Sequence, residues 1–358
     1  MSTDTPLAPA PTGHAGPVRT RRRLPRYAAA GLYVGGLLVG ALLSALTGFS
    51  IALTVVYGVV LGTLALYVAS RAVEGRRKAA DRLVTTVVTS AFGIAMVPLV
   101  SLIYTVLDNG LGRLDGEFFN SSMLGVVGEG GGAYHAILGT VIITALTALI
   151  SVPIGLLTAI YLVEYGQGRL KKAITFLVDV MTGIPSIVAG LFAFALFALF
   201  FGPGIRLGVM GAVALAVLMI PVVVRSAEEV LKLVPNELRE ASYALGVPKW
   251  RTILKVVIPT SIGGLGTGIT LAVARVIGET APLLVTTGFV NGTNLNPFSG
   301  RMTTLPVFSF YQLTQPGFPP EFAIERAWTA ALVLIILVMA LNVVARLISR
   351  IFAPKTGR

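Results

Sequence analysis

The chain has 358 residues, 55% hydrophobic and 12% charged, with a mean hydropathy of +0.84; a soluble globular domain carries about twice that charged fraction, so that class is excluded. No cysteine is present and the two histidines, His14 and His135, lie far apart, which excludes disulfide frameworks and Cys-ligated metal or iron–sulfur centres. The net charge of +12 is gathered between long apolar runs, a pattern of loops beside anionic lipid rather than of nucleic-acid binding.

From the N-terminus, residues 1–18 are polar and rich in Pro, Thr and Ala and read as a disordered tail, with 1–27 as a whole cytoplasmic. Arg19, Arg21, Arg22, Arg23 and Arg26 precede an apolar stretch without a small-residue cleavage signature, read as an uncleaved start of membrane insertion. Spanning the hydrocarbon core takes ~20 apolar residues as helix. Eight runs meet that length: 28–47, 50–70, 83–107, 137–163, 174–201, 205–224, 261–288 and 327–349. Residues 28–70 are almost continuous and are broken only by Thr47-Gly48-Phe49-Ser50. A single helix of that length would be about twice the bilayer thickness, so a hairpin is predicted. The fold class is therefore all-α, a polytopic membrane protein of about eight transmembrane helices.

Loop charges orient the chain. With the N-terminus in the cytoplasm, 23 of the 28 Lys and Arg fall on cytoplasmic segments. Arg113, Arg206, Arg301 and Arg326 fall in outer loops, and Arg275 within a span. This asymmetry is that of the positive-inside rule, and it puts both termini, including a tail at 351–358, in the cytoplasm of a multi-pass cell-membrane protein. The long outer loop 108–136 holds Asp108, Asp115, Glu117, Glu129 and the glycine-rich run 128–132. That run reads as a flexible surface loop rather than a phosphate cradle, since no GxxxxGK[ST] motif follows. The second long outer loop, 289–326, is expected to contain a short structured piece.

Span 174–201 carries Pro185, expected to kink it, and Asp179, expected to cap or to pair with Lys171 or Lys172 rather than to touch substrate. Residues 225–260 are amphipathic and basic. Asn236 after Pro235 is a good N-cap, and Glu237 and Glu240 suit the first turn. Gly246 is placed to end a 236–245 helix in the left-handed conformation, and Pro248 to open the next. Trp250, between Lys249 and Arg251, reads as an interfacial anchor or a partner contact. Downstream, Arg275 and Glu279 are four apart, and on a helix they share a face. Charges at bilayer depth are expensive and belong on an interior or water-filled path. Two readings of this pair stand: an anion pathway using the planar donor fork of Arg, with Gly278 and Pro282 loosening the helix, or a structural ion pair.

Glu240-Ala241-Ser242, Gly246 three residues later, and Val256-Val257-Ile258-Pro259 nine residues after that resemble the EAA loop of type I ABC importer permeases. The alternative is an ordinary amphipathic linker. The resemblance implies that Glu240, Ala241, Ser242, Gly246 and Pro259 belong to an elbow that docks on a separate ATPase. The chain has no Walker A motif, so nucleotide hydrolysis falls to that partner; no catalytic residue, bound cofactor or metal is expected. The stretch Ala274-Arg275-Val276-Ile277-Gly278-Glu279-Thr280-Ala281-Pro282-Leu283-Leu284 resembles the PstA family, the A-type permeases of phosphate-specific importers. Gly183-Ile184-Pro185-Ser186-Ile187-Val188-Ala189-Gly190 and Met302-Thr303-Thr304-Leu305-Pro306-Val307 add to that resemblance.

The likeness covers about 83–350, a six-helix permease domain, and leaves the 28–71 hairpin as an extension whose role it does not imply. It does imply Arg275, Glu279 and Thr280 on the phosphate path: Arg275 attracting the anion, Glu279 holding Arg275 or tempering its affinity, Thr280 adding a hydroxyl. It also implies a PstC-like second permease, a pair of PstB-like ATPase subunits and a PstS-like extracytoplasmic phosphate-binding protein as partners, with membrane lipid around them. Three alternatives differ: an importer for another oxyanion such as sulfate or molybdate, an ATPase-independent secondary transporter, and a sensor or scaffold using residues 1–70.

Overall fold

A computed structural model describes residues 24, 25 and 27–352. All regular structure among them is helical. They form two compact units, divided between Leu102 and Ile103. Among the described residues seven helices are long and apolar enough to cross a membrane, and a sharply bent helix pair makes eight if it counts as one span.

In the first unit, α1 (Ala28–Leu46) and α2 (Ile51–Val73) form a hairpin, followed by α3 (Arg76–Gly110), in which the unit boundary falls. Gly36 and Gly40 on α1 face Gly58 and Gly62 on α2. A Cβ on Gly36 would lie 2.6 Å from the Gly58 carbonyl oxygen, and one on Gly40 2.7 Å from the Gly58 nitrogen. Apolar tails of lipid give two such helices no hydrophobic reason to meet, so close backbone approach at small residues holds the pair. Across the hairpin Ser44 and Thr54 share a hydrogen bond of 2.7 Å, and Tyr33 donates to Thr86 on α3 at 2.9 Å.

The link between α2 and α3 carries a buried carboxylate, Glu74. It accepts Arg82 Nε and Nη2 at 2.9 and 3.0 Å, Ser70 Oγ at 2.9 Å and the Leu24 N–H at 3.0 Å. Burial alone pushes this carboxyl up. The bonds from Leu24, Arg82 and Ser70, with the Arg82 charge, outweigh that and bring it from 4.5 to about 2.

The second unit is built around α8 (Gly208–Lys232). It packs on α5 (Tyr134–Ile160), which follows the short α4 (Gly116–Asn120), and on α6 (Gly168–Thr182) and α7 (Ser186–Phe201). Ile143, Leu215, Met219, Val223, Val276 and Leu283 meet in its core. Thr147 on α5 donates to its own helix at Ile143 O and across to Ala212 O on α8, at 2.8 and 3.3 Å. The predicted kink at Pro185 is a break: α6 and α7 are two helices bent by 107°. The fixed φ of Pro185 and its missing N–H keep it outside α7, at the N-cap position.

The glycine-rich run differs from its reading as a flexible loop, because its backbone is held on both sides. Arg326 donates to Gly128 O and Gly130 O at 2.8 and 3.0 Å, Arg113 donates to Gly131 O at 2.9 Å, and the Gly131 N–H donates to Glu117 at 2.9 Å. In the 289–326 segment α13 (Leu305–Thr314) is the structured piece, and α14 (Glu321–Phe352) closes the unit.

The Glu74 cluster sets a pH window. Its folded-state pKa lies below the ordinary value, so its stabilisation is complete above about 4.5 and fades as the pH falls through about 2. Glu74→Gln should destabilise the detergent-solubilised protein by about 2 kcal/mol at pH 7. Thermal unfolding of wild type and variant should show that gap narrowing by pH 3; an unchanged gap contradicts the assignment.

Candidate functional site: an elbow and a broken helix joined by one rod

After α8 the chain turns through α9 (Asn236–Ala244) and α10 (Lys249–Thr252), passes a π-helical turn at Ile253–Val257, and continues as α11 (Ile258–Val276). Gly246 supplies the left-handed turn, φ +74°, and no atom lies within 4 Å of where its Cβ would sit. Pro248 precedes α10 as expected. The predicted Asn236 cap is not formed. Pro235 takes the N-cap position, and Asn236 Oδ1 instead accepts Arg239 Nη1 at 3.2 Å. Glu237 lies in the first turn; Glu240 lies beyond it.

Ser242 and Thr252 are buried and share a hydrogen bond of 2.8 Å that closes the elbow. Of the small residues in α9, Ser242 therefore faces its own chain, while Ala241 and Ala244 are exposed. Glu240 and Gly246 are exposed as well. Around them Leu238, Tyr243, Leu245 and Trp250 stand out from the surface, Leu245 at 82% exposure. Arg251 lies 5.2 Å from the Trp250 ring.

The elbow is pinned to the end of α5. That helix runs into a π-helical turn, Tyr161–Tyr165. There Glu164, its side chain 5% exposed, receives Arg239 Nη2 and Nε at 2.9 and 3.1 Å. Arg239 also donates to Val234 O at 2.6 Å and Leu231 O at 3.1 Å, so one guanidinium ties α5, the end of α8 and α9 together. Lys249 donates to the Glu164 carbonyl and sits 4.9 Å from the Tyr165 ring. Sequence reasoning missed this clasp. Its partners are 75 residues apart, with no local spacing to betray them. A second chain of charges links α6 to α8: Asp179 pairs with Arg225 rather than with Lys171 or Lys172, and Glu228 joins Arg225 to Lys232 at 2.8 and 2.7 Å.

Pro259 does not break the helix. Lys249–Val276 is continuous over 28 residues, because the π-helical turn just before Pro259 widens the backbone where a proline ring would otherwise meet the carbonyl of the preceding turn. The break comes at the other end. The helix stops at Val276, Ile277-Gly278-Glu279-Thr280 leave it, and α12 (Ala281–Thr286) starts with Pro282 in its first turn. Arg275 is thus in the last turn of α11 and Glu279 is outside the helix. The two do not share a helix face, and they form no ion pair. The glycine and proline that loosen a helix explain the difference.

Arg275 is exposed on the isolated chain, Glu279 and Thr280 partly so. Gly278 and Thr280 open on a cavity of about 440 Å³, also lined by Ala281, Ser309, Phe310 and Leu334. The Met302–Leu305 stretch buttresses α12. Met302 N–H donates to Thr287 O at 3.2 Å, Thr303 Oγ1 donates to Val290 O at 2.7 Å, and the Leu305 N–H donates to Thr140 on α5 at 2.8 Å.

Residues 151–358 match the family described as "Binding-protein-dependent transport system inner membrane component". "Phosphate transport system permease protein PstA 1" of Mycobacterium tuberculosis (strain ATCC 25618 / H37Rv) is 45% identical over 276 residues, 76% of this chain and 88% of that protein. "Phosphate transport system permease protein PstA" of Pasteurella multocida (strain Pm70) is 37% identical over 285 residues, 79% of this chain and 97% of that protein. A chain of a bacterial alginate ABC transporter, solved in complex with an alginate pentasaccharide-bound periplasmic protein, has the same fold. Its TM-score is 0.55 at 12% identity, over 78% of this chain and 97% of that one.

Arg239→Met leaves the enclosed Glu164 carboxylate without its partner, a change that costs about 3 kcal/mol. Hydrogen exchange in residues 233–247 should then accelerate by at least tenfold while α5 and α8 hold; unchanged exchange there contradicts the clasp.

Proposed function

We propose a function on the premise that the chain belongs to the binding-protein-dependent transport system inner membrane components and, within them, to the PstA permeases. It is the membrane-spanning permease subunit of an ATP-driven importer of inorganic phosphate. Its elbow docks on a separate ATPase subunit, and a second permease completes the pathway. An extracytoplasmic binding protein delivers the phosphate. The N-terminus, the elbow and the C-terminus lie on the cytoplasmic side.

The observation that carries this reading is Arg275: a guanidinium in the last turn of an apolar helix, exposed on the isolated chain and with no carboxylate within ion-pairing distance among the described residues. Facing lipid, such a charge is expensive, so that side of α11 calls for a cover. A second permease supplies it, and the space enclosed between the two subunits becomes the water-filled path. An unpaired planar fork there suits a tetrahedral oxyanion. Glu279, outside the helix, forms no ion pair with Arg275 and limits the residence of the anion by repulsion. Thr280 offers a hydroxyl at the same break.

The exposed apolar side chains Leu238, Tyr243, Leu245 and Trp250 surround Glu240, Ala241 and Gly246. Such a patch on a loop marks a protein contact. When two ATPase subunits close on ATP, the elbows are drawn together, and the rod Lys249–Val276 carries that movement to Arg275. Each nucleotide state favours a different elbow position, which is what makes access alternate.

Arg275→Gln should abolish phosphate uptake in cells while the complex still co-purifies with its ATPase; normal uptake sinks the assignment. Leu245→Asp should do the opposite, releasing the ATPase from the purified permease pair by at least tenfold in affinity while leaving the membrane fold intact. Undiminished ATPase binding by that variant excludes the patch as the docking surface.

A further inference from the structure

Two arginines that the pathway above does not use converge at the end of α8 opposite the elbow. Arg206 lies in the link between α7 and α8, and Arg301 in the segment between α12 and α13. They are far apart in sequence, yet both stems rest on the same backbone position. A Cβ on Gly288 would lie 2.9 Å from Arg206 Cδ and 3.2 Å from Arg301 Cδ. Arg206 is held there by Nη1 donating to Leu284 O at 3.0 Å, which uses one donor of its fork and fixes it to α12. Arg301 is exposed and Arg206 partly so. Among the described residues neither forms an ion pair with a carboxylate.

Two like charges packed on one residue repel each other. Here no acidic side chain offsets that repulsion, although acids do so for Arg82, Arg113, Arg225 and Arg239 in the same chain. Most N–H donors on both forks remain free to face an incoming ligand, and two planar forks together match the several oxygens of a tetrahedral dianion. The position fits a sequence of sites. Gly288 and Thr280 lie just beyond the two ends of α12, a helix of six residues and so about 9 Å long.

We propose that Arg206 and Arg301 form a receiving site for the tetrahedral oxyanion, inorganic phosphate. The anion is taken there on its arrival from the extracytoplasmic side and passed along α12 to Thr280 and Arg275. This deepens the phosphate-importer reading and rests on it. Holding the ion by charge at two separated places lets each site bind weakly enough to release, whereas one tight site would trap it.

The test uses the complete importer in liposomes, titrated with phosphate-loaded binding protein. Arg301→Gln, whose side chain carries no hydrogen bond or ion pair among the described residues, should lower the maximal phosphate uptake rate about tenfold, with the concentration of binding protein at half-maximal rate unchanged. Arg206→Gln should do the same. Since it also frees Leu284 O, Arg206→Lys is made beside it and should recover part of the rate through its charge. A raised half-maximal concentration with an unchanged maximal rate means that the arginines grip the binding protein, and overturns the site. Wild-type behaviour of Arg301→Gln beside an inactive Arg275→Gln overturns the second site alone. A wild-type complex that carries no phosphate overturns both this inference and the importer reading.

Discussion

One continuous helix, Lys249–Val276, reaches from the elbow to Arg275, and the proposed coupling between the two ends requires it to be stiff. Pro259 lies within it and would ordinarily end or kink it. The π-helical turn at Ile253–Val257 takes up the misfit, so the ring is accommodated without a hinge. Sixteen residues of helix then separate Pro259 from Arg275, about 24 Å at the normal rise. A displacement applied at Thr252 therefore arrives at Arg275 as a displacement rather than as a local bend.

Stiffness at one end is matched by deliberate loosening at the other. Gly278 and Pro282 interrupt the helix directly after Arg275, so the side chains nearest the break can respond while the rod moves as a body. The elbow end is clamped by different means: the Ser242–Thr252 hydroxyl pair inside it, and the Arg239–Glu164 ion pair that ties it to α5. Because α5 packs on α8, and α8 on α11, the clasp joins the elbow to the packed centre of the second unit. The first unit is stabilised by other devices, a glycine-lined helix contact and a buried, fully bonded carboxylate at Glu74.

Much of this was legible in the residues. Apolar length gave the helical, membrane-spanning class, since lipid leaves the backbone few alternatives. Turn chemistry located the elbow: Gly246 has the left-handed φ that its position demands, and Pro248 stands where a helix begins. What failed was side-chain geometry, which neighbouring residues or another element override. Arg275 and Glu279 are correctly spaced for a shared face, but the loosening residues between and after them end the helix first. Asn236 has the chemistry of a cap, and Arg239 claims its side-chain oxygen. Asp179 has lysines nearby in sequence, yet α6 packs on α8 and the carboxylate pairs there with Arg225. In that last case the partner lies on another element, where periodicity carries no information.

The stiffness of the rod is open to direct measurement. The chain has no cysteine, so a pair introduced at the exposed positions Arg251 and Leu271 takes spin labels on either side of Pro259. Their helical separation is about 30 Å. In the assembled importer, pulsed dipolar spectroscopy should give one distance, the same within about 2 Å with and without ATP, while a label at 251 moves relative to one on the second permease. A distance between 251 and 271 that shortens or splits on ATP binding would place a hinge at Pro259 and contradict the account.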